Sequence, residues 1–181
     1  ACMIYMLWRI FKTDKEKELL MYRSHTDELT GCFNRHAYEE DIVQLRMDEA
    51  FVYISLDMNG LKTVNDSLGH AAGDELIRGV ASCMKQCFAE VGKVYRIGGD
   101  EFVIIVLNQI QNIENIRETF DKTVRRWQGK MVKEMSVSCG YVSSDEKEWD
   151  TIYDIAKAAD ARMYENKAAY YQKSGRDRRK R

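Results

Sequence analysis

The chain has 181 residues, 28 Lys+Arg against 29 Asp+Glu and a formal net charge of -1, a length in the range of roughly 100–200 residues that usually forms one domain. With 45% hydrophobic and 31% charged residues it is neither an intrinsically disordered chain nor an integral membrane protein. Balanced charge argues against sequence-blind nucleic-acid binding, which needs a cationic surface to displace counterions from phosphates, so no nucleic-acid partner is expected.

In chain order, the apolar run Met3-Ile4-Tyr5-Met6-Leu7-Trp8 comes first and is followed by Arg9 and Lys12. It is shorter than the about 20 residues that cross a bilayer, and reads either as the end of a membrane helix or as one face of a linker helix. No charged n-region or small-residue cleavage site marks a signal peptide. Lys12 to His25, with Leu19, Leu20 and Tyr22, reads as a helix that leads into the turn Thr26-Asp27-Glu28-Leu29-Thr30-Gly31. Asn34 is a candidate N-cap for a helix through Tyr38, Ile42, Val43 and Leu45. Phe51 to Leu56 is a β-branched and aromatic strand that ends at Asp57.

A turn at Gly60 precedes a short helix over Leu61–Leu68 that Gly69 stops, and a longer helix follows from about Asp74 to Phe88. Strands at Lys93–Ile97 and Glu101–Leu107 flank Gly98-Gly99, a strong hairpin signal on the argument that positive φ is needed there. The all-apolar second strand should lie centrally in a covered sheet. Ile113–Trp127 reads as a helix, Met135–Val142 as a strand and Trp149–Gln172 as a final helix. The order β-α-α-β-β-α-β-α predicts an α/β (α+β) ferredoxin-like sheet flanked by helices. Proline is absent, so turns rely on Gly, Asn, Asp and Ser, and the five cysteines lack C-x-x-C spacing, as expected of reduced thiols in a cytosolic protein. The basic tail Arg176–Arg181 reads as a solvated end.

Arg96-Ile-Gly-Gly-Asp-Glu-Phe102 sets two carboxylates, Asp100 and Glu101, at a hairpin apex, and a two-helix crossover would bring that apex beside Asp57. Converging carboxylates plus substrate phosphates are what Mg²⁺ takes, which points to phosphoryl transfer; alone, Gly-Gly-Asp is also ordinary turn composition. The block Asp57-Met-Asn-Gly-Leu-Lys-Thr-Val-Asn-Asp66 adds a glycine turn whose amides can face phosphate and Lys62 as a point charge. Asn65 and Asp74 offer the amide and carboxylate that a guanine edge needs. Arg96 could order the hairpin or touch a phosphate, whereas His70 and Trp8, Trp127 and Trp149 read as structural.

These blocks resemble the GGDEF domain, the catalytic module of diguanylate cyclases. The likeness runs from about Thr26 to Arg181, through Asp27-Glu-Leu-Thr-Gly-Cys-Phe-Asn-Arg35, Asp57 to Asp74, Gly98-Gly-Asp-Glu-Phe102, Ser136-Val-Ser-Cys-Gly140 and Ala159-Asp-Ala-Arg-Met-Tyr-Glu-Asn-Lys167. It divides the chain into a linker or signalling helix at 1–25, ending a membrane or sensor segment, and a cyclase domain at 26–181. The resemblance implies a palm-type sheet that binds GTP with two Mg²⁺ or Mn²⁺ ions per site, in a homodimer that condenses two GTP into cyclic di-GMP and two pyrophosphates. It assigns metal binding to Asp57, the Met58 carbonyl, Asp100 and Glu101, catalysis to Asp100 and Glu101, guanine to Asn65 and Asp74, and phosphate to Lys62 and Lys167. A sensor domain upstream and a cytoplasmic location, membrane-tethered or not, are further implications.

Three departures stand out. Asn59 and Gly60 replace a common Asp and an aromatic or polar residue. Ala89-Glu-Val-Gly92 occupies the place of the inhibitory Arg-x-x-Asp, so that site is expected to be absent. Lys167 is followed by Ala-Ala-Tyr-Tyr before Gly175-Arg176, a stretched version of the family's ending. The main alternative is a catalytically silent GTP-binding regulatory domain; a cyclase that accepts ATP is disfavoured by Asp74.

Overall fold

The computed structural model describes Arg9 and residues 24–174. The apolar run at Met3–Trp8, nearly all of the Lys12–His25 segment and the basic tail lie outside the described residues. Arg9, Ser24 and His25 are helical, and from Arg35 the described residues form, in chain order, α1 (Arg35–Ile42), β1 (Val52–Met58), α2 (Leu61–Leu68), α3 (His70–Phe88), β2 (Gly92–Arg96), β3 (Glu101–Val106), α4 (Ile113–Arg126), β4 (Val137–Ser143) and α5 (Ile152–Ser174). The expected order is therefore found, preceded by α1 and with a 3-10 turn at Ile110–Asn112.

The sheet order is β2-β3-β1-β4, with all neighbours antiparallel, the ferredoxin-like arrangement in which the crossover returns β3 beside β1. Every residue of β1 is buried because helices cover both faces. Val52, Ile54, Leu56 and Met58 face a core built with α3 and α4, and Phe51 and Tyr53 face one built with α1 and α5. That two-sided burial is why β1 and β3 read as near-continuous apolar runs and not as alternating ones. Phe88 and Phe120 join α3 to α4 edge-to-face, their centroids 5.4 Å apart. On the other face α5 runs so close to β4 that a Cβ on Gly140 would stand 2.0 Å from the Ala159 carbonyl oxygen.

Local chemistry explains the boundaries. Asn34 caps α1 as expected, accepting the Ala37 N–H at 3.0 Å, but α1 ends at Ile42 and does not reach Leu45. The long helix α3 begins at His70, four positions before its expected start, because Gly69 at φ 83 both ends α2 and opens α3. The hairpin forms as expected, yet not for the expected reason. Positive φ among the described glycines occurs at Gly31, Gly60 and Gly69, not at Gly98 or Gly99. A Cβ on Gly98 would sit 2.8 Å from Oε2 of the exposed Glu101, a flexible end that can move aside, and one on Gly99 would meet nothing within 4 Å.

Candidate active site at the hairpin end of the sheet

The β1–β3 register sets Asp57 opposite Glu101, and the Met58 N–H donates to the Asp100 carbonyl at 3.0 Å. The strand end and the hairpin apex thus bring Asp57, Asp100 and Glu101 to one edge of the sheet, as the sequence suggested. Their settings differ: Asp57 is buried, Asp100 is half-buried and Glu101 is exposed. From α5, Lys167 reaches Asp57 with Nζ 2.5 Å from Oδ1, and both side chains are less than a tenth exposed. A buried carboxylate is stable only with its charge matched, so the ammonium already marks this oxygen as a place for a cation.

Arg96 fastens the hairpin from beneath. Its Nε donates to the Gly98 carbonyl at 3.1 Å and its NH2 to the Gly99 carbonyl at 2.9 Å, while NH1 spans both oxygens of Asp27 at 3.1 Å. Arg96 thus orders the hairpin, one of the two roles open to it. Asp27 also accepts the Thr30 N–H at 3.0 Å and the Thr30 hydroxyl at 2.7 Å. Burial alone would raise the Asp27 carboxyl, but the Thr30 hydroxyl and the Arg96 guanidinium outweigh it and hold the group below its ordinary value.

On the α2–α3 side, Asn65 lies against Gly73 so tightly that a Cβ there would be 1.9 Å from its Oδ1. That Oδ1 is buried and has no hydrogen-bond partner among the described residues. Asp74, half-buried, is the next residue of α3, so the amide and the carboxylate share one corner. Lys62 is exposed in the first turn of α2, whose start is set by Gly60 at φ 77. His70 is exposed, whereas Trp127 packs beside Gly79 and Trp149 beside the α1–α5 core.

Sequence reasoning gave Asn59 no role, and the structure gives it one. Buried at the end of β1, its Nδ2 donates to Ser136 Oγ at 3.1 Å and its Oδ1 accepts from Ser138 Oγ at 3.0 Å, which fixes the start of β4 against β1. Asp27, a second structural anchor, was visible only as part of a motif. No spacing rule in a single sequence links it to Arg96.

Mg²⁺ fits the residues present. Asp57, Asp100 and Glu101 offer hard oxygen donors with no imidazole or thiolate among them, and Asp57 already faces a cation, the Lys167 ammonium. The 260 Å³ cavity that touches Ala89 and Gly92 differs in kind: its lining includes Lys85 and Lys93 but no arginine and no acid.

The family profile described as "Diguanylate cyclase, GGDEF domain" matches residues 24–173. The chain belongs to the GGDEF family. Among relatives, it is 30% identical over 171 residues to the probable diguanylate cyclase DgcJ of Escherichia coli, which covers 91% of this chain and 32% of that protein. It is 32% identical over 149 residues to the diguanylate cyclase VdcA of Vibrio cholerae, covering 78% of this chain and 43% of the relative. This GGDEF chain therefore spans a third to under half of those relatives. The coiled coil and GGDEF domain of DgcB from Caulobacter crescentus, solved with c-di-GMP, superposes with a TM-score of 0.77 at 23% identity, over 93% of this chain and 94% of that one, and shares its fold. Some GGDEF relatives are membrane proteins, and no described helix here is long and apolar enough to cross a membrane.

Proposed function

We propose that this GGDEF chain is a diguanylate cyclase module that condenses two GTP into cyclic di-GMP and two pyrophosphates across a homodimer. The observation that carries the reading is the convergence of Asp57 with the hairpin acids Asp100 and Glu101, on a strand register that leaves little freedom between them. Asp57, the Met58 carbonyl, Asp100 and Glu101 are the groups that would hold Mg²⁺. Bound Mg²⁺ neutralises phosphate charge and eases ionisation of the attacking hydroxyl.

The chain's own residues do the rest. Asn65 and Asp74 orient the guanine, and Lys62 and Lys167 steady the phosphates, Lys167 leaving Asp57 as it does so. Each 3′-oxygen forms a bond to the α-phosphorus of the GTP on the facing subunit, the bond from that phosphorus to the bridging oxygen breaks, and pyrophosphate leaves with the electron pair. Asp100 takes the hydroxyl proton in this scheme. Since each bond joins nucleotides held by different subunits, bringing the subunits together supplies effective concentration that one subunit lacks. Residues 1–25 form the connection through which an upstream sensor sets that approach.

The test is mass analysis of products after incubating the chain with GTP and Mg²⁺ at high protein concentration, beside Asp100→Ala, repeated with ATP in competition. Cyclic di-GMP from the parent alone, unaffected by ATP, is the expected result. GTP binding without product, even when a fused coiled coil forces the dimer, would overturn the cyclase reading in favour of a nucleotide-sensing domain.

A further inference from the structure

Outside the carboxylate site, His25, His36 and Glu40 form a cluster in which one ligating atom from each residue lies within 4.8 Å of the others. His25 Nε2 is 2.8 Å from Glu40 Oε2, and His36 Nε2 is 3.2 Å from Glu40 Oε1. The two imidazole rings tilt at 38° with centroids 5.2 Å apart. His36 and Glu40 are one turn apart on α1, so they share a face of that helix. His25 comes from a different stretch, the entry into the domain, and Asn34 locks that stretch to α1. The Asn34 backbone N–H donates to the His25 carbonyl at 2.8 Å, its Nδ2 donates to the Ser24 carbonyl at 2.8 Å, and its Oδ1 caps the helix. The ligand backbones are therefore held in place before any ion arrives.

We propose that His25, His36 and Glu40 bind a borderline divalent transition ion, with Zn²⁺ as the probe that defines the site, and that the ion clasps the entry segment to α1. Two imidazoles and one carboxylate are a three-ligand set for tetrahedral zinc, which holds nitrogen and oxygen at about 2.0–2.2 Å and so needs donors roughly 3.3 Å from one another. The two imidazole–carboxylate separations, 2.8 and 3.2 Å to the two oxygens of Glu40, lie within half an ångström below that value, so small side-chain rotations would seat the ion. Side-chain exposures of 56% at His36 and 51% at Glu40 leave the ion a way in and a fourth position for water. Imidazole donors also separate this site from the oxygen-only one, because Mg²⁺ prefers a near-octahedral oxygen shell while Co²⁺, Ni²⁺, Cu²⁺ and Zn²⁺ favour nitrogen.

The test titrates the full chain with Zn²⁺ against a colorimetric chelator, and with Co²⁺ followed by visible absorption, in excess Mg²⁺ so that the carboxylate site is saturated. One equivalent of Zn²⁺ is expected, with a Co²⁺ band free of thiolate charge transfer. His36→Ala and Glu40→Gln each weaken binding at least tenfold, and Zn²⁺ raises the melting temperature of the parent but not of these variants. Both substitutions sit on exposed side chains of α1, so circular dichroism of either should match the parent. Zn²⁺ affinity equal in parent and both variants, no binding by the parent, or a spectrum dominated by thiolate charge transfer would each overturn the proposal. None of these readouts uses GTP, so the outcome is independent of cyclase activity.

Discussion

Lys167 and Gly73 carry the sharpest consequences at the level of single residues. Lys167→Met removes the ammonium paired to the buried Asp57 carboxylate, and loss of one partner from a buried pair costs about 3–5 kcal/mol. Urea unfolding without divalent ions should register that loss, and Mg²⁺ should restore more stability to the variant than to the parent. Gly73→Ala presses a methyl group into Asn65 Oδ1. We expect GTP affinity to fall about tenfold, of the order of one lost hydrogen bond to a buried group, with the unfolding midpoint little changed; equilibrium nucleotide titration checks it. Acid acts through Asp27, whose folded-state carboxyl is held below its unfolded value. Its stabilising effect is therefore complete above the unfolded value of about 4 and fades as pH falls through the lower folded one. Protection of the Gly98 amide, measured against its intrinsic exchange rate, should fall in that acid range, and Asp27→Asn should lower it in the same way at neutral pH. The acids themselves were legible because Asp57 ends an apolar strand and Asp100 follows Gly-Gly. The partners that hold them, Arg96 with Asp27 and Asn59 with Ser136 and Ser138, were not, since long-range polar contacts leave no periodic trace.

Helices and strands met expectation where burial sets the pattern and missed it where glycine does. The apolar runs of β1 and β3 identified central strands because covered sheets need no alternation. The start of α3 was misjudged because Ala71-Ala72-Gly73 ahead of Asp74 has a weak apolar pattern, although Gly69 at φ 83 gives the helix its real beginning. The glycine pair of the hairpin was read for a positive φ that neither Gly98 nor Gly99 adopts. Close approach of α5 to β4 provides an element-level test. Gly140→Ala drives a methyl group toward the Ala159 carbonyl and the Met163 amide. Overpacking of this kind costs about 1–3 kcal/mol, and since α5 also brings Lys167 to Asp57, product formation should fall along with the urea midpoint. Phe120→Ala removes the edge-to-face partner of Phe88 between α3 and α4, at about 3–5 kcal/mol, and at temperatures where the variant stays folded it should leave guanine selectivity intact.

For the molecule as a whole, the proposed reaction requires two copies. Initial rate per mole of chain should rise with protein concentration and level off as dimers saturate, with Asp100→Ala silent throughout. What the sequence conveyed at this scale was the order of elements and the family likeness. Topology adds a constraint on how the chain comes into being. The central strand β1 pairs with β3 and with β4, so Val52 waits for both Val106 and Ser143. Contacts this distant along the chain make folding slow and close to all-or-none, and an incomplete chain on the ribosome would carry β1 as an open apolar edge. A nascent chain released before Ser143 would be a substrate for chaperones and proteases, so recombination that joins new inputs to this domain must cut ahead of it or behind it and never through it.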